Sequence, residues 1–170
     1  MKKLLVIWGT VFAFVLLQAP AALPAGKQAF RANLTGLEEV PARTTDAHGL
    51  ASFVLNREGT EITYRIIVSN IANVTEAHIH LGARGESGPA VVILYGPVAP
   101  GGGAKSGMLA TGVITAASLT GPLAGKTIAD LVNAMRMGDA YVNVHTNDGS
   151  GQANRGAGDF PEGEIRGQIQ

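Results

Sequence analysis

The sequence predicts an all-β fold, a Greek-key β-sandwich of about eight strands with one short helix. Three observations point there. Short runs of alternating or apolar residues recur between turn clusters rich in Gly, Pro, Asn and Asp. Glycine is abundant, with 23 residues, and only 15% of residues are charged, a balance that suits strands and tight turns better than a helical bundle. One segment alone carries a complete set of helix signals.

The strands follow in order. Phe30 to Thr35 alternates, with Phe30, Ala32 and Leu34 on one side. Gly36 to Gly49 is polar and turn-rich. Leu50 to Leu55 is a second strand, and Asn56-Arg57-Glu58-Gly59-Thr60 forms a hairpin turn with Gly where φ > 0 is needed. In Glu61 to Ser69, Ile62, Tyr64, Ile66 and Val68 share a face; Ile67 breaks the alternation. Val74 to Leu81 follows, then a glycine-rich loop from Gly82 to Pro89. Ala90 to Tyr95 is almost wholly apolar, which predicts burial on both faces. After a Pro/Gly loop from Gly96 to Gly107 comes a strand over Met108 to Ile114. The helix lies between Thr127 and Met137. Thr127 and Asp130 have capping-box spacing, Ile128, Leu131, Val132 and Met135 make the apolar stripe, and Gly138 supplies the stop. Tyr141 to His145 and Gly163 to Gln170 are the last two strands.

The first 25 residues belong to a different category. Lys2 and Lys3 precede a charge-free apolar run from Leu4 to Leu17, followed by small residues and prolines. This is the pattern of a secretory signal peptide, with cleavage expected after Ala21 or Ala25. The run is short of the roughly 20 residues that span a bilayer. The expected organisation is therefore a signal over 1–25 and a single domain over 26–170, secreted or periplasmic and free of the membrane after cleavage. Without Lys2 and Lys3 the charge balance is 11 basic to 13 acidic residues. Near neutrality argues against nucleic acid or an acidic membrane surface as partner. The absence of cysteine excludes disulfides, thiolate metal ligands, a cysteine nucleophile and a lipid anchor on cysteine.

The chemistry-bearing residues fall on three strands. His78 and His80 are two apart, so their rings share a strand face. If Val142 and Val144 face the core, Tyr141, Asn143 and His145 face the other way. Likewise, Ile165 and Ile169 inward puts Glu164 and Arg166 outward. Should these strands be neighbours, His78, His80 and His145 converge. Three imidazoles suit copper or zinc, with Glu164 and Arg166 as outer partners, Glu164 accepting a ring N–H. The same residues also make an ordinary hydrogen-bonded polar cluster with a Glu164–Arg166 ion pair; the sequence leaves both open. His48 reads as a solvated turn residue. The Gly82–Gly88 loop lacks the Lys-Ser/Thr ending of a phosphate loop. Glu38 and Glu39 point to opposite sides if extended, which suits no paired-carboxylate mechanism. Ser106 and Ser118 have no His/Asp context.

These motifs carry a family resemblance. Phe30-Arg-Ala-Asn-Leu-Thr-Gly-Leu-Glu-Glu-Val-Pro41 resembles the opening of a CHRD (chordin-type) domain. Ala77-His-Ile-His-Leu-Gly82 and Gly88-Pro-Ala-Val-Val-Ile-Leu94 resemble its centre. Leu119-Thr-Gly-Pro-Leu123, Tyr141-Val-Asn-Val-His-Thr146 and Gly163-Glu-Ile-Arg-Gly-Gln168 resemble its end. The resemblance implies an immunoglobulin-like sandwich in an exported, single-domain bacterial protein. The function it implies is an extracytoplasmic binding or structural module whose ligand or protein partner is unspecified, rather than an enzyme. A looser resemblance offers an alternative. Copper/zinc superoxide dismutases carry a His-x-His strand followed by Gly, which His78 and His80 match and to which His145 adds a third ligand. That implies a copper-dependent redox protein. The chain departs from the dismutase pattern in having no histidine between Leu81 and Tyr141 and no cysteine.

Overall fold

The computed structural model describes residues 28–170; the segment 1–25, read from its sequence as a signal peptide, lies outside the described residues. Eight strands form one antiparallel sheet: β1 (Ala29–Thr35), β2 (His48–Leu55), β3 (Glu61–Ala72), β4 (Val74–Leu81), β5 (Ala90–Tyr95), β6 (Ala104–Thr115), β7 (Ala140–Thr146) and β8 (Ile165–Gln168). Their order is β5-β4-β7-β8-β1-β2-β3-β6. The sheet is nearly closed, because its two end strands come together, and Tyr64 on β3 donates its hydroxyl to the Leu94 carbonyl on β5 at 2.7 Å. The result is an all-β, sandwich-like barrel with one short α-helix, α1 (Ile128–Met137).

The expected periodicities set the core. Phe30, Ala32 and Leu34 of β1 are buried, as are Ile62, Ile66 and Val68 of β3 and Val142 and Val144 of β7. The stripe Ile128, Leu131, Val132 and Met135 closes the barrel from α1. The Asp130 carboxylate accepts from the Thr127 amide and hydroxyl, at 2.9 and 2.7 Å, so the helix start is capped as its spacing predicts. Gly138 ends it in the left-handed region, with φ 76°. In the β2–β3 turn the Asn56 side chain accepts from the Thr60 and Glu61 amides, and Gly59 has φ 72°.

Three expectations need correction. β5 is not buried on both faces: Ile93 is 53% exposed. It ends the sheet order, and bulges at Ala77/His78 and Ile79/His80 turn it against β4. β6 starts four residues before Met108, at Ala104. Its first half runs along exposed sheet edge, so no apolar alternation marks it. His48 opens β2 rather than sitting in the turn before it; it is exposed and its Nδ1 pairs with the Asp46 carbonyl at 3.1 Å.

The register decides where the site lies. β7 pairs with β4 through His78↔Asn143 and His80↔Tyr141, and with β8 through Asn143↔Arg166 and Tyr141↔Gln168. The outward faces of β4, β7 and β8 are thus one continuous polar surface. β8 is a central strand, with β7 on one side and β1 on the other.

Candidate metal centre and adjoining pocket

His78, His80 and His145 are brought together. One ring nitrogen from each lies within 4.8 Å of the other two. His78 and His80 come from β4 at strand spacing, and His145 from β7 beside them. The ring centroids are 5.0 Å apart for His78 and His145 and 5.6 Å for His78 and His80.

The hydrogen bonds assign the tautomers. His80 Nδ1 donates to the Gly88 carbonyl at 2.9 Å, leaving Nε2 as a lone pair. That Nε2 is buried and has no partner among the described residues. His145 Nδ1 donates to the Pro161 carbonyl at 2.8 Å, which again leaves Nε2 as a lone pair. His78 Nδ1 faces this His145 Nε2 at 3.1 Å, while its Nε2 faces the Glu76 carboxylate at 3.3 Å. A neutral His78 cannot satisfy both. If Nδ1 carries the proton, a lone pair meets the Glu76 carboxylate. If Nε2 carries it, two lone pairs oppose each other at 3.1 Å. A cation between the rings would resolve the conflict, taking lone pairs from Nδ1 of His78 and Nε2 of His80 and His145. Two nitrogens bound about 2.05 Å from a tetrahedral ion are about 3.3 Å apart, close to the 3.1 Å between His78 Nδ1 and His145 Nε2.

Burial favours the neutral form of these imidazoles. Burial is the main cause that lowers the His78 pKa to about 4, helped by His145 and His80 nearby. His80 and His145 are also lowered, again chiefly by burial. Each ring then has an acceptor on its other nitrogen: Glu76 for His78, Gly88 for His80 and Pro161 for His145. Such outer contacts orient metal-binding imidazoles.

Glu164 does not take the part expected of it. Its carboxylate accepts from the hydroxyls of Thr45 and Thr146, at 2.6 and 2.7 Å, and from the Gly158 amide at 2.8 Å. Those three donors hold it at the base of the 147–163 loop, so the acceptor role passes to Glu76 and two backbone carbonyls. Nor does Glu164 form an ion pair with Arg166. The Arg166 guanidinium stacks 3.4 Å from the Tyr141 ring and donates to the Ala83 carbonyl at 3.0 Å. Glu76 was open to discovery in the sequence, since it shares strand parity with His78 and His80.

Beside the triad is a cavity of about 410 Å³, lined by His80, Tyr141, Asn143, Arg166 and Glu39 among others. Glu39 is the functional candidate that sequence reasoning passed over. The two acidic neighbours do diverge, as an extended pair should. Glu38 turns outward to Arg84, while Glu39 turns inward and is 7% exposed. Both Glu39 oxygens accept from Asn143 Nδ2, at 3.0 and 3.2 Å. Burial pushes its carboxyl up to about 7, against the pull of Arg166 and Arg43. Gly163 makes room for this pair: a Cβ there would sit 2.3 Å from Asn143 Nδ2 and 2.6 Å from Glu39 Oε1. The Gly82–Gly88 loop, no phosphate cradle, is the cavity wall that supplies the Gly88 and Ala83 carbonyls.

The fold and site define an antiparallel β-barrel module with a cluster of imidazoles on one outer face. The CHRD domain family model matches residues 30–169, and the chain belongs to the CHRD domain family. Comparison with curated proteins and with solved structures returns no match. Among the described residues, no helix is long and apolar enough to cross a membrane.

Proposed function

We propose that this chain is an exported CHRD module that binds a divalent transition-metal ion, copper or zinc, through His78, His80 and His145. One observation carries the reading. Three imidazoles meet, and with His78 neutral their hydrogen bonds leave lone pairs that a shared cation would satisfy together. Three nitrogen donors with no thiolate suit Cu(II) or Zn(II) and leave a fourth position for an exogenous ligand. The ion ties β4 to β7, so it also acts as a cross-strand clamp.

Titration of the metal-free protein with Cu(II) and with Zn(II) tests this. His80→Ala and His145→Ala should each weaken binding at least about tenfold, or about 1.4 kcal/mol. Unchanged affinity in both folded variants would overturn the metal reading. Export rests on the basic–apolar–small order of the first 25 residues. Protein isolated from its native host should begin near Ala22 or Gly26 by N-terminal sequencing. An intact Met1 on a membrane-bound product would overturn it.

A further inference from the structure

Arg166 is a buried cation that borders the cavity beside the triad, and the metal reading gives it no task. It is 1% exposed. Nη2 donates to the Ala83 carbonyl at 3.0 Å, and the guanidinium lies over the Tyr141 ring, 3.4 Å from its centre. Among the described residues it forms no ion pair; Glu39 and Glu38 act on it from further away. A guanidinium carries five N–H hydrogens. Four of them make two forks, Nε with Nη2 and Nη1 with Nη2. Ala83 takes one Nη2 hydrogen, so one complete fork is left whichever hydrogen that is. The free nitrogens also reach open space. The described polar atoms that are sealed from solvent without a partner are His80 Nε2, Asn143 Oδ1 and Gln168 Oε1, and no atom of Arg166 is among them.

The walls narrow the choice of acceptor. One wall is the Gly82–Gly88 loop, pinned where Gln168 Nε2 donates to the Gly82 carbonyl at 2.8 Å and the Gly88 amide donates to the Tyr141 hydroxyl at 3.2 Å. The fold therefore sets the shape of the cavity. A planar carboxylate matches a guanidinium fork with two parallel hydrogen bonds. One guanidinium offsets one negative charge, and a dianion would leave a second beside Glu39 and Glu162, which also line the cavity. Val40, an apolar side chain on the same lining, offers contact for a short carbon chain. About 410 Å³ lies within the roughly 300–1,000 Å³ of small-molecule sites. We propose that this cavity binds the carboxylate of a small organic monoanion, forked on the free edge of Arg166 with its carbon chain against Val40. The same group ends every polypeptide, so a free short acid and a chain terminus are its two sources. The proposal does not depend on a metal at the triad.

Butyrate, its uncharged isostere butyramide, sulfate and an acetylated tripeptide with a free C-terminal carboxylate are titrated into the metal-free protein. The Arg166 Nε–H resonance is the readout. Glu39 titrates near 7 although Arg166 and Arg43 both pull it down, so at about pH 6 it is mostly protonated and adds no like charge. Under that condition butyrate should shift the resonance saturably. It should bind at least about tenfold tighter than butyramide or sulfate, the factor for one charge-assisted hydrogen bond. Arg166→Lys keeps the charge and loses the fork, and should weaken butyrate at least about tenfold. Peptide binding as tight as butyrate's assigns the site to chain ends as well; exclusion of the peptide assigns it to free acids. No saturable shift, butyramide or sulfate as tight as butyrate, or unchanged butyrate affinity in folded Arg166→Lys would overturn the proposal. Should that variant fail to fold, the ligand comparison on the unaltered protein still decides. Because no metal is present, failure here leaves the triad's metal binding untouched, and failure of metal binding leaves this result standing.

Discussion

Replacing Glu39 by Gln should change how stability depends on pH, and the size of the change follows from burial. The Glu39 carboxyl titrates near 7 in the folded protein, against 4.5 for an unburied one. Between those values the folded state holds a proton that the unfolded state has lost. Stability from this group is therefore fully present below about pH 4.5 and is lost as pH rises through about 7. A gap of about 2.5 units is about 3 kcal/mol at 1.36 kcal/mol per unit. His78 works in the opposite sense. Its pKa falls from 6.5 to about 4 on folding, so the unfolded state binds more protons in that window. Stability from His78 is present above about pH 6.5 and is lost as pH falls through about 4, again by about 3 kcal/mol. His80 and His145 are lowered as well and add to the acid-side loss. The two carboxyl and imidazole trends offset each other across about pH 4.5–6.5 in the unaltered protein. Glu39→Gln keeps an acceptor for Asn143 Nδ2 and removes one trend. Urea unfolding of the metal-free protein at about pH 4 and about pH 8 should show a larger rise in stability for the variant, by about 3 kcal/mol. Parallel curves for the two proteins would refute the assignment of a buried, late-titrating carboxyl to Glu39.

Two further outcomes test the barrel itself. A protein ending at Pro161 loses β8, which lies between β7 and β1; it should show no cooperative melt, because its loss divides the sheet into β5-β4-β7 and β1-β2-β3-β6. Gly167→Ala would place a Cβ 2.2 Å from the Asn33 carbonyl oxygen on β1, and unfolding in denaturant should show a loss of at least about 2 kcal/mol.

How much of this was legible in the sequence depends on which signal each element used. Where one strand face is core and the other is not, period-two reading worked: β1 and β3 have the inward residues that alternation assigns them, and β7 keeps Val142 and Val144 inward although its other face is covered too. The helix was legible because its cap, stripe and stop are all local. Edge position left no such trace. Ile93 belongs to an apolar run that looks buried on both faces, yet β5 ends the strand order and Ile93 is exposed. The first half of β6 failed for the converse reason. Lys105, Ser106 and Gly107 are exposed, and β3 pairs with Lys105 and Gly107 through a backbone register that side-chain pattern cannot report. β8 looks like a closing strand from the sequence; its central place comes from non-local pairing with β1 through Thr35↔Arg166.

The site divides along the same line. Parity within one strand placed His78 beside His80, and parity against Val142 and Val144 turned His145 to the matching face. Both steps needed only neighbouring residues. The partners that tune the triad are different in kind. Gly88 and Pro161 act through backbone carbonyls, and any residue type supplies one, so composition cannot point to them. Glu164 has the right parity, but Thr45, Thr146 and Gly158 draw its carboxylate away, and Thr45 and Gly158 come from loops that no strand rule positions. Glu39 is the instructive case. It stands in a turn-rich stretch next to a second acid, Glu38, and nothing local separates the two. Their fates diverge only because the chain after β1 folds across the outer face of β7, so that one carboxylate meets Arg84 at the surface and the other meets Asn143 inside. Burial, not residue type, then turns an ordinary acid into a group that titrates near neutrality. A carboxyl with that property, Asn143 and Arg166 all line one cavity that His80 also touches. Their coincidence on one face exists only once β4, β7 and β8 are side by side.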